Sequence, residues 1–409
     1  MSQHAAMTPK QAVQTPGYAW VVLFAVYMAT LAAPLNQMKV PPVMPILRES
    51  FDLGYSGAGM LMSIFSILGF VLAIPAGFIL QRIGIKKTGL ISVAAVLLGS
   101  VLGALSGTTV MLFASRFVEG AGMGLIMVAA PAALSLWFPA ERRGLPMGLW
   151  ASCVGIGNIA ALNLAPALAA ASGWRAVWWA GAIVAALAFV LFIVLFRLPR
   201  EGEVSGMEPP VSSKSGPEEP SGVRAVMTNG SNWMISIAFM VFNLVVMAIS
   251  TFYPDYLNTV RNYSLARASF ITSLIMLVAI FAGPLGGYVS DRLGKRKVLI
   301  VYPFIMMALV FLFPFTATGW MIPALMIFFG IVAGPIAPVS LAAVPEIMPS
   351  PKLVGVGLGV VILGQNVGML IGPTLFGFLV EQTSWAMAGY LMIPICAVAI
   401  LCASLAKIR

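Results

Sequence analysis

The sequence predicts an all-α membrane protein of twelve transmembrane helices, built as two pseudo-symmetric six-helix bundles. Three observations carry that prediction. The 409 residues are 60% hydrophobic and 9% charged, with a mean hydropathy of +0.99. Soluble domains are about half apolar and a quarter charged, so a chain this oily cannot hide its apolar surface in a water-soluble core. A spanning helix needs about 20 apolar residues, and twelve such runs can be read off the chain. Finally, one charged hinge is written twice, as Gly77-Phe-Ile-Leu-Gln-Arg-Ile-Gly-Ile-Lys-Lys87 and as Gly287-Tyr-Val-Ser-Asp-Arg-Leu-Gly-Lys-Arg-Lys297.

The first six runs lie near 18–40, 57–80, 88–106, 110–137, 144–170 and 175–197. The second six lie near 232–256, 267–290, 298–316, 321–347, 353–380 and 385–406. Between the two sets, residues 198–225 are rich in Glu, Ser, Pro and Gly, the composition of a flexible polar linker. The domains expected are a cytoplasmic tail at 1–17, a bundle at 18–197, a cytoplasmic linker at 198–231, a second bundle at 232–406 and a cytoplasmic C-terminus at 407–409. The first run is long enough to span, so no cleavable signal peptide is expected. With the N-terminus inside, 17 of the 23 Lys and Arg residues fall in inside segments and four (Arg48, Arg175, Arg261 and Arg267) fall in outside loops. That asymmetry places both termini and the linker in the cytoplasm. The compact loops point to a bacterial inner membrane.

Composition also excludes function classes. Cys153, Cys396 and Cys402 lie within apolar runs and form no CxxC pair, so they read as packing residues. The one histidine, His4, is in the polar tail, which removes His-based metal sites and Ser-His-Asp chemistry. No Walker P-loop is present, which argues against ATP-driven transport. No enzyme activity, metal or cofactor is expected. The net charge of +10 sits in short clusters between apolar runs, not along one face of a soluble domain, so nucleic acid is not an expected partner.

The hinge falls between runs two and three and again between runs eight and nine. The loop Phe138-Pro-Ala-Glu-Arg-Arg-Gly144 has a looser counterpart in Pro345-Glu-Ile-Met-Pro-Ser-Pro-Lys-Leu-Val-Gly355. Gly148, Gly155 and Pro166 of run five match Gly357, Gly364 and Pro373 of run eleven. Two copies that both start on the cytoplasmic side make a parallel repeat, a symmetry suited to halves that rock about a central site. On these residues the chain resembles the major facilitator superfamily over essentially its whole length. The second hinge matches that superfamily's G-x-x-x-D-R-x-G-R/K-R/K loop in full, while the first has Gln81 in place of the acid. Arg116-Phe-Val-Glu-Gly-Ala-Gly-Met-Gly124 resembles the helix-4 motif, an Arg followed by a Gly-rich turn, and Trp137 to Trp150 is similar to bacterial members. The resemblance implies secondary transport of a small-molecule solute across the lipid bilayer by alternating access, in a monomer. Proton symport is a family-level expectation.

Ionisable residues inside the membrane are costly, so each needs a reason. Arg116 and Glu119 share a face of run four, either as a mutually neutralised structural pair or as a proton-coupling or gating pair. An acid at Glu119, where the resembling motif usually has an amide or other polar residue, favours coupling. Lys39, near the outer end of run one and beside Asn36 and Gln37, either snorkels to the interface or faces the cavity and attracts an anion. Asp255, at the outer end of run seven, reads as a solvated loop acid or as one side of an outer gate with Lys39. Asn158 on run five and Gln365 and Asn366 on run eleven are polar at mid-membrane depth and are candidate solute contacts. The glycines of run eleven read as close-packing positions.

The hinges read as two cytoplasmic latches. Asp291 sits at the C-terminal end of run eight, where an acid opposes the helix dipole. The resemblance implies that run eight packs there on the start of run five, with Arg142 or Arg143 neutralising Asp291 and Gly287 allowing the approach. The opposite latch would press Gln81 and Arg82 on the start of run eleven, near Lys352 and Gly355, without an acid. Arg292 and Glu346 complete the candidate gating set. A net positive cavity favours a small organic anion such as a monocarboxylate. The nitrate branch pairs an Arg on helix 2 with one on helix 8, and these runs supply no such pair. Two alternatives stand: an exporter of hydrophobic or toxic compounds, and a non-transporting sensor or scaffold of the same fold.

Overall fold

Every apolar run folds as helix. The computed structural model describes residues 16–72, 75–139, 142–200, 203, 220–294, 296–350 and 353–408. In chain order the helices are α1 (Tyr18–Met38), a 3-10 turn (Pro41–Val43), α2 (Met44–Phe51), α3 (Tyr55–Val71), α4 (Pro75–Ile83), α5 (Ile85–Ala104), α6 (Thr109–Trp137), α7 (Gly144–Ser172), α8 (Trp174–Leu195), α9 (Pro220–Met227), α10 (Gly230–Thr259), α11 (Leu265–Leu293), α12 (Arg296–Val310), α13 (Met321–Ala333), α14 (Ile336–Ile347), α15 (Val354–Gln382) and α16 (Trp385–Leu405). No strand occurs among the described residues. Ten segments are long and apolar enough to cross a membrane, with α1–α2 and α13–α14 each counted as one. The pair α3–α4, bent by 60°, makes an eleventh. The apolar α12, at 15 residues, is shorter than these spans.

The departures from the expected runs have local causes. The second run breaks ahead of Pro75, and proline removes a helix N–H and clashes with the preceding turn. The tenth run divides at Gly334-Pro335. The ninth stops at Val310 rather than 316, because residues 311–320 fold as turns. Residues 220–227, inside the stretch expected to be linker, are helical. Residues 1–15 and 204–219, which carry the expected tail and most of that linker, lie outside the described residues.

Helix starts are fixed where small polar side chains take free N–H groups. Thr108 accepts from Met111, Asn229 from Ser231 and Asn232, and Ser384 from Met387. The tightest helix pair is α10 on α15. Gly364, Gly368 and Gly372 recur every four residues, and a Cβ on any of them would meet the backbone of Ser236, Met240 or Leu244. The two helices therefore touch backbone to backbone, as the glycine spacing predicts.

Helices α1–α8 pack as one bundle and α10–α16 as another. The bundles meet at the end opposite the hinges, the far end. There Gly59 lies on the backbone of Pro373 and Gly377 on that of Tyr55, and Thr374 Oγ1 donates to Ser63 Oγ at 2.8 Å. Asn163 Nδ2 donates to Ser273 Oγ at 3.1 Å. At the hinge end, added Cβ atoms on Gly77, Gly144, Gly148, Gly355 and Gly359 would meet nothing within 4 Å, and Gln81, Arg82 and Arg142 are exposed. The halves are closed at the far end and apart at the hinge end.

Candidate functional site

The site begins with a helix that proline stops. Pro41 and Pro42 have no N–H, so the carbonyls of Gln37 and Met38 lack the partner four residues on that would continue α1. Arg116 of α6 reaches across to this end. Its Nη1 donates to the Asn36 carbonyl at 2.8 Å and its Nη2 to the Gln37 carbonyl at 3.2 Å. The same guanidinium pairs with Glu119, one turn on in α6. The other oxygen of Glu119 takes Lys39 Nζ at 2.7 Å. Lys39 also donates to Asn36 Oδ1 at 2.7 Å and to Ser100 Oγ at 2.9 Å. Ser100 sends its own proton to the Trp178 carbonyl at 2.7 Å. An ammonium has three hydrogens and no acceptor, so three acceptors satisfy Lys39 in full.

Aromatic faces close the cluster. Lys39 Nζ lies 4.7 Å from the Trp178 ring centre, and the Arg116 guanidinium lies 4.6 Å from that of Phe65. Two missing side chains make the room. A Cβ at Gly99 would run into Glu119, and one at Gly181 into Asn36 Oδ1. Lys39, Arg116 and Glu119 are all at most 1% exposed. Two cations share one carboxylate, so the cluster carries one net positive charge out of reach of water. Arg116 Nε has no hydrogen-bond partner among the described residues.

This arrangement corrects several expectations. Lys39 neither snorkels nor faces a cavity between the halves. It turns into the first bundle, because Asn36, Ser100 and Glu119 together offer it a complete set of acceptors. Asn36 is itself part of that set, and the Gln37 side chain is buried beside it. Lys39 and Asp255 do not pair. Asp255 is fully buried, not a solvated loop acid, and its Oδ2 takes Arg48 Nη1 of α2 at 3.2 Å. Asn158 is buried, and its Oδ1 has no hydrogen-bond partner among the described residues. Gln365 and Asn366 are half-buried.

The described hinge residues make no contact with the opposite half in this conformation. Gly287 faces Pro338 of α14, in its own half, rather than helix α7. Arg143 is used locally, donating to the carbonyls of Phe138 and Ser135 at 2.7 and 2.8 Å, where it covers the C-terminal end of α6. Arg292 is exposed. Glu346 pairs with Arg296 at 3.2 Å within the second half. The Asp291 side chain and Lys352 lie outside the described residues. Among the described residues no three His, Cys, Asp or Glu side chains gather as a metal site.

Reading the sequence missed Ser100, Trp178 and Arg48 as site residues. For Arg48 the signal was present, since it is one of four cations on the outside and Asp255 is an acid at the same end. For Ser100 and Trp178 there was none, because their role depends on which helices touch.

Comparison with known proteins agrees with this architecture. The Major Facilitator Superfamily pattern matches residues 26–318 and 262–409. A probable sulfoacetate transporter, SauU, of Cupriavidus necator is 22% identical over 384 residues, covering 89% of this chain and 87% of that protein. A hexuronate transporter of Bacillus subtilis is 24% identical over 388 residues, covering 91% and 90%. A crystal structure of a bacterial homologue of the human lysosomal transporter Spinster, inward-facing and unoccupied, superposes with a TM-score of 0.83 at 16% identity, covering 95% of this chain and 97% of that one. Family pattern, relatives and shared fold all span nearly the full length, and the chain belongs to the Major Facilitator Superfamily.

Proposed function

We propose that this multi-pass membrane protein is a secondary active transporter of a small organic anion of the monocarboxylate kind, working by alternating access. The carrying observation is the buried Lys39–Glu119–Arg116 cluster, with two cations to one acid. A buried charge without a counter-charge acts over a longer range than the same charge in water, so the face of the first bundle beside α1 and α6 favours an anion. The names of the relatives support this reading, since sulfoacetate and hexuronate are both anions. Asn158, whose Oδ1 has no hydrogen-bond partner among the described residues, and the half-buried Gln365 and Asn366 are the polar groups available for solute contact.

The rocking bodies are residues 18–197 and 232–406, joined by the linker, with both termini cytoplasmic in a bacterial inner membrane and the monomer as the working unit. Glu119 is the acid through which proton coupling would act, because its protonation releases both cations from their common counter-charge. In the conformation closed at the hinge end, Asp291 meets the start of α7, and Gln81 meets the start of α15 without a charge. Asp291→Asn then loosens the closed hinge end more than Gln81→Ala; equal effects in a cysteine-accessibility assay would contradict this.

The test is uptake into proteoliposomes of a panel of small monocarboxylates, sulfonates and neutral sugars, with and without a pH gradient. Anion uptake that Lys39→Ala abolishes supports the proposal. Anion uptake unchanged in Lys39→Ala sinks the role of the cluster. Movement of a hydrophobic dye with no anion uptake makes the protein an exporter. A chain that moves no solute and co-purifies with a partner is a sensor or scaffold.

A further inference from the structure

The far end is closed by charge as well as by shape, and both acids that reach across it come from the second half. Arg48, on α2 of the first half, donates to Asp255 of α10 in the second. The same guanidinium stacks on the Tyr55 ring, 3.4 Å from its centre. Tyr55 in turn sits edge-on against Trp385 of the second half, with ring centres 5.0 Å apart. Arg48 is thus held between an acid of one half and a ring of the other. Beside it, Glu381 stands at the C-terminal end of α15. An acid there opposes its own helix dipole. It is turned instead to the start of α3 across the interface, where its Oε2 accepts the Ser56 N–H at 3.3 Å. That helix has no side-chain cap of its own at Gly54, so Glu381 caps it from the other half.

Several charged groups lie on or next to the elements packed against this stretch of α10. Arg261, just beyond α10, bonds Tyr256 Oη, and Arg267 of α11 lies over Tyr263. Glu49 of α2 is exposed. The Arg48 guanidinium bonds Asp255 Oδ2, and Oδ1 has no hydrogen-bond partner among the described residues. If the halves part, Asp255 loses the Arg48 guanidinium and Glu381 the Ser56 N–H.

We propose that Asp255 and Glu381 form a proton-released gate at the far end: as carboxylates they hold the first half through Arg48 and the start of α3, and protonation from the far side frees both. The reading rests on alternating access. It makes acid on the far side an opening signal, independent of any proton taken by Glu119. Protonation of Asp255 leaves a neutral carboxyl that no longer needs the guanidinium. Protonation of Glu381 removes its attraction to the positive helix start.

The experiment is pulsed electron–electron distance measurement on the full-length protein in nanodiscs. One spin-label pair sits at Ser50→Cys and Gln382→Cys on the far end, and another at Leu145→Cys and Gly355→Cys on the hinge end, with the native cysteines replaced. The expected result is a short far-end distance near neutral pH and a long population that grows as the far side is acidified toward about pH 4, where ordinary carboxylates gain protons. Asp255→Asn shifts the ratio of open to closed by at least about tenfold at neutral pH, since truncating one side of a buried charge pair is a large loss. Adding Glu381→Gln removes the remaining pH dependence. Should Asp255→Asn fail to fold, Arg48→Gln and the exposed Glu381→Gln carry the same comparison, and Arg48→Lys, which keeps the charge, stays closed at neutral pH. A far-end distribution that ignores pH while the hinge-end pair still moves with conditions overturns the gate and leaves alternating access standing. If neither pair moves under any pH or ion gradient, alternating access falls and the gate falls with it.

Discussion

Replacing Glu119 by Gln removes the one negative charge that two buried cations share. The glutamine amide is nearly isosteric, so packing is preserved and the change is electrostatic. Lys39 keeps Asn36 Oδ1 and Ser100 Oγ, and Arg116 keeps the Asn36 and Gln37 carbonyls. Two unit charges, however, then stand in a region at most 1% exposed with no counter-ion. Removing one partner of a buried ion pair costs about 3–5 kcal/mol, and here the loss sits at the upper end because two pairs share the acid. Lys39→Met is the contrasting change. It removes three hydrogen bonds, but it leaves the Arg116–Glu119 pair neutral. The Ser100 hydroxyl, 3.1 Å from Asn36 Oδ1, can turn to it from the Trp178 carbonyl, and Met fills nearly the same volume. Its cost is therefore about 1.5–4.5 kcal/mol, three hydrogen bonds at about 0.5–1.5 kcal/mol each with no charge orphaned, and smaller than the loss for Glu119→Gln. The double variant Lys39→Met/Glu119→Gln leaves Arg116 as the lone ion, and the cycle of the four proteins gives the coupling directly. Unfolding by titration with denaturing detergent from a defined micelle reads the differences. Equal losses for Glu119→Gln and Lys39→Met would refute the picture of one acid holding two bases, and so would a larger loss for Lys39→Met.

Other outcomes follow from the same geometry. Gly181→Ala puts a methyl group on Asn36 Oδ1, and forced repacking of this kind costs about 1–3 kcal/mol; unchanged stability would mean that Asn36 turns aside without cost. Gly368→Ala presses on the Met240 carbonyl, and separation of α10 from α15 appears as lower thermal stability in detergent, whereas a surface change such as Thr383→Ala leaves it unaltered. Cys153 and Cys396 are buried and Cys402 is partly exposed, so a bulky maleimide labels Cys402 alone in the folded protein. Glu203, just past α8, is held at about 2, below its ordinary 4.5, by hydrogen bonds from the Arg197 guanidinium and then from the Arg200 N–H. A depressed folded value means that its small contribution is complete above about pH 4.5 and fades as pH falls through about 2. The stability gap between wild type and Glu203→Gln should therefore be constant at neutral pH and close in strong acid.

Much of the architecture was legible because it is set by one variable, apolar length. The run 110–137 became α6 at Thr109–Trp137, and the run 144–170 became α7 at Gly144–Ser172. The bend between α3 and α4 was not set by apolar length; its signal was Pro75 inside the run. The candidate site divides the same way. Arg116 with Glu119 is a spacing along one helix, and the sequence contains that spacing. Lys39 with Glu119 is a contact between helices 80 positions apart, and nothing in either segment names the other. The alternatives weighed for Lys39, interface or cavity, both assumed that a charge in an apolar helix must reach water. Three buried acceptors, one each from α1, α5 and α6, supplied a third solution. Asp255 was misplaced for the related reason that an acid near a helix end looks solvated until a second half closes over it.

The end of α1 has a mechanical meaning as well as a chemical one. Its last carbonyls are held by Arg116 rather than by the next turn of the same chain. Neither helix can slide or rotate along the other by even one residue without tearing both bonds together, so α1 and α6 transmit torque as a single spar. A load applied at the far end by α2 therefore reaches the middle of the first bundle without being absorbed by slack between its helices.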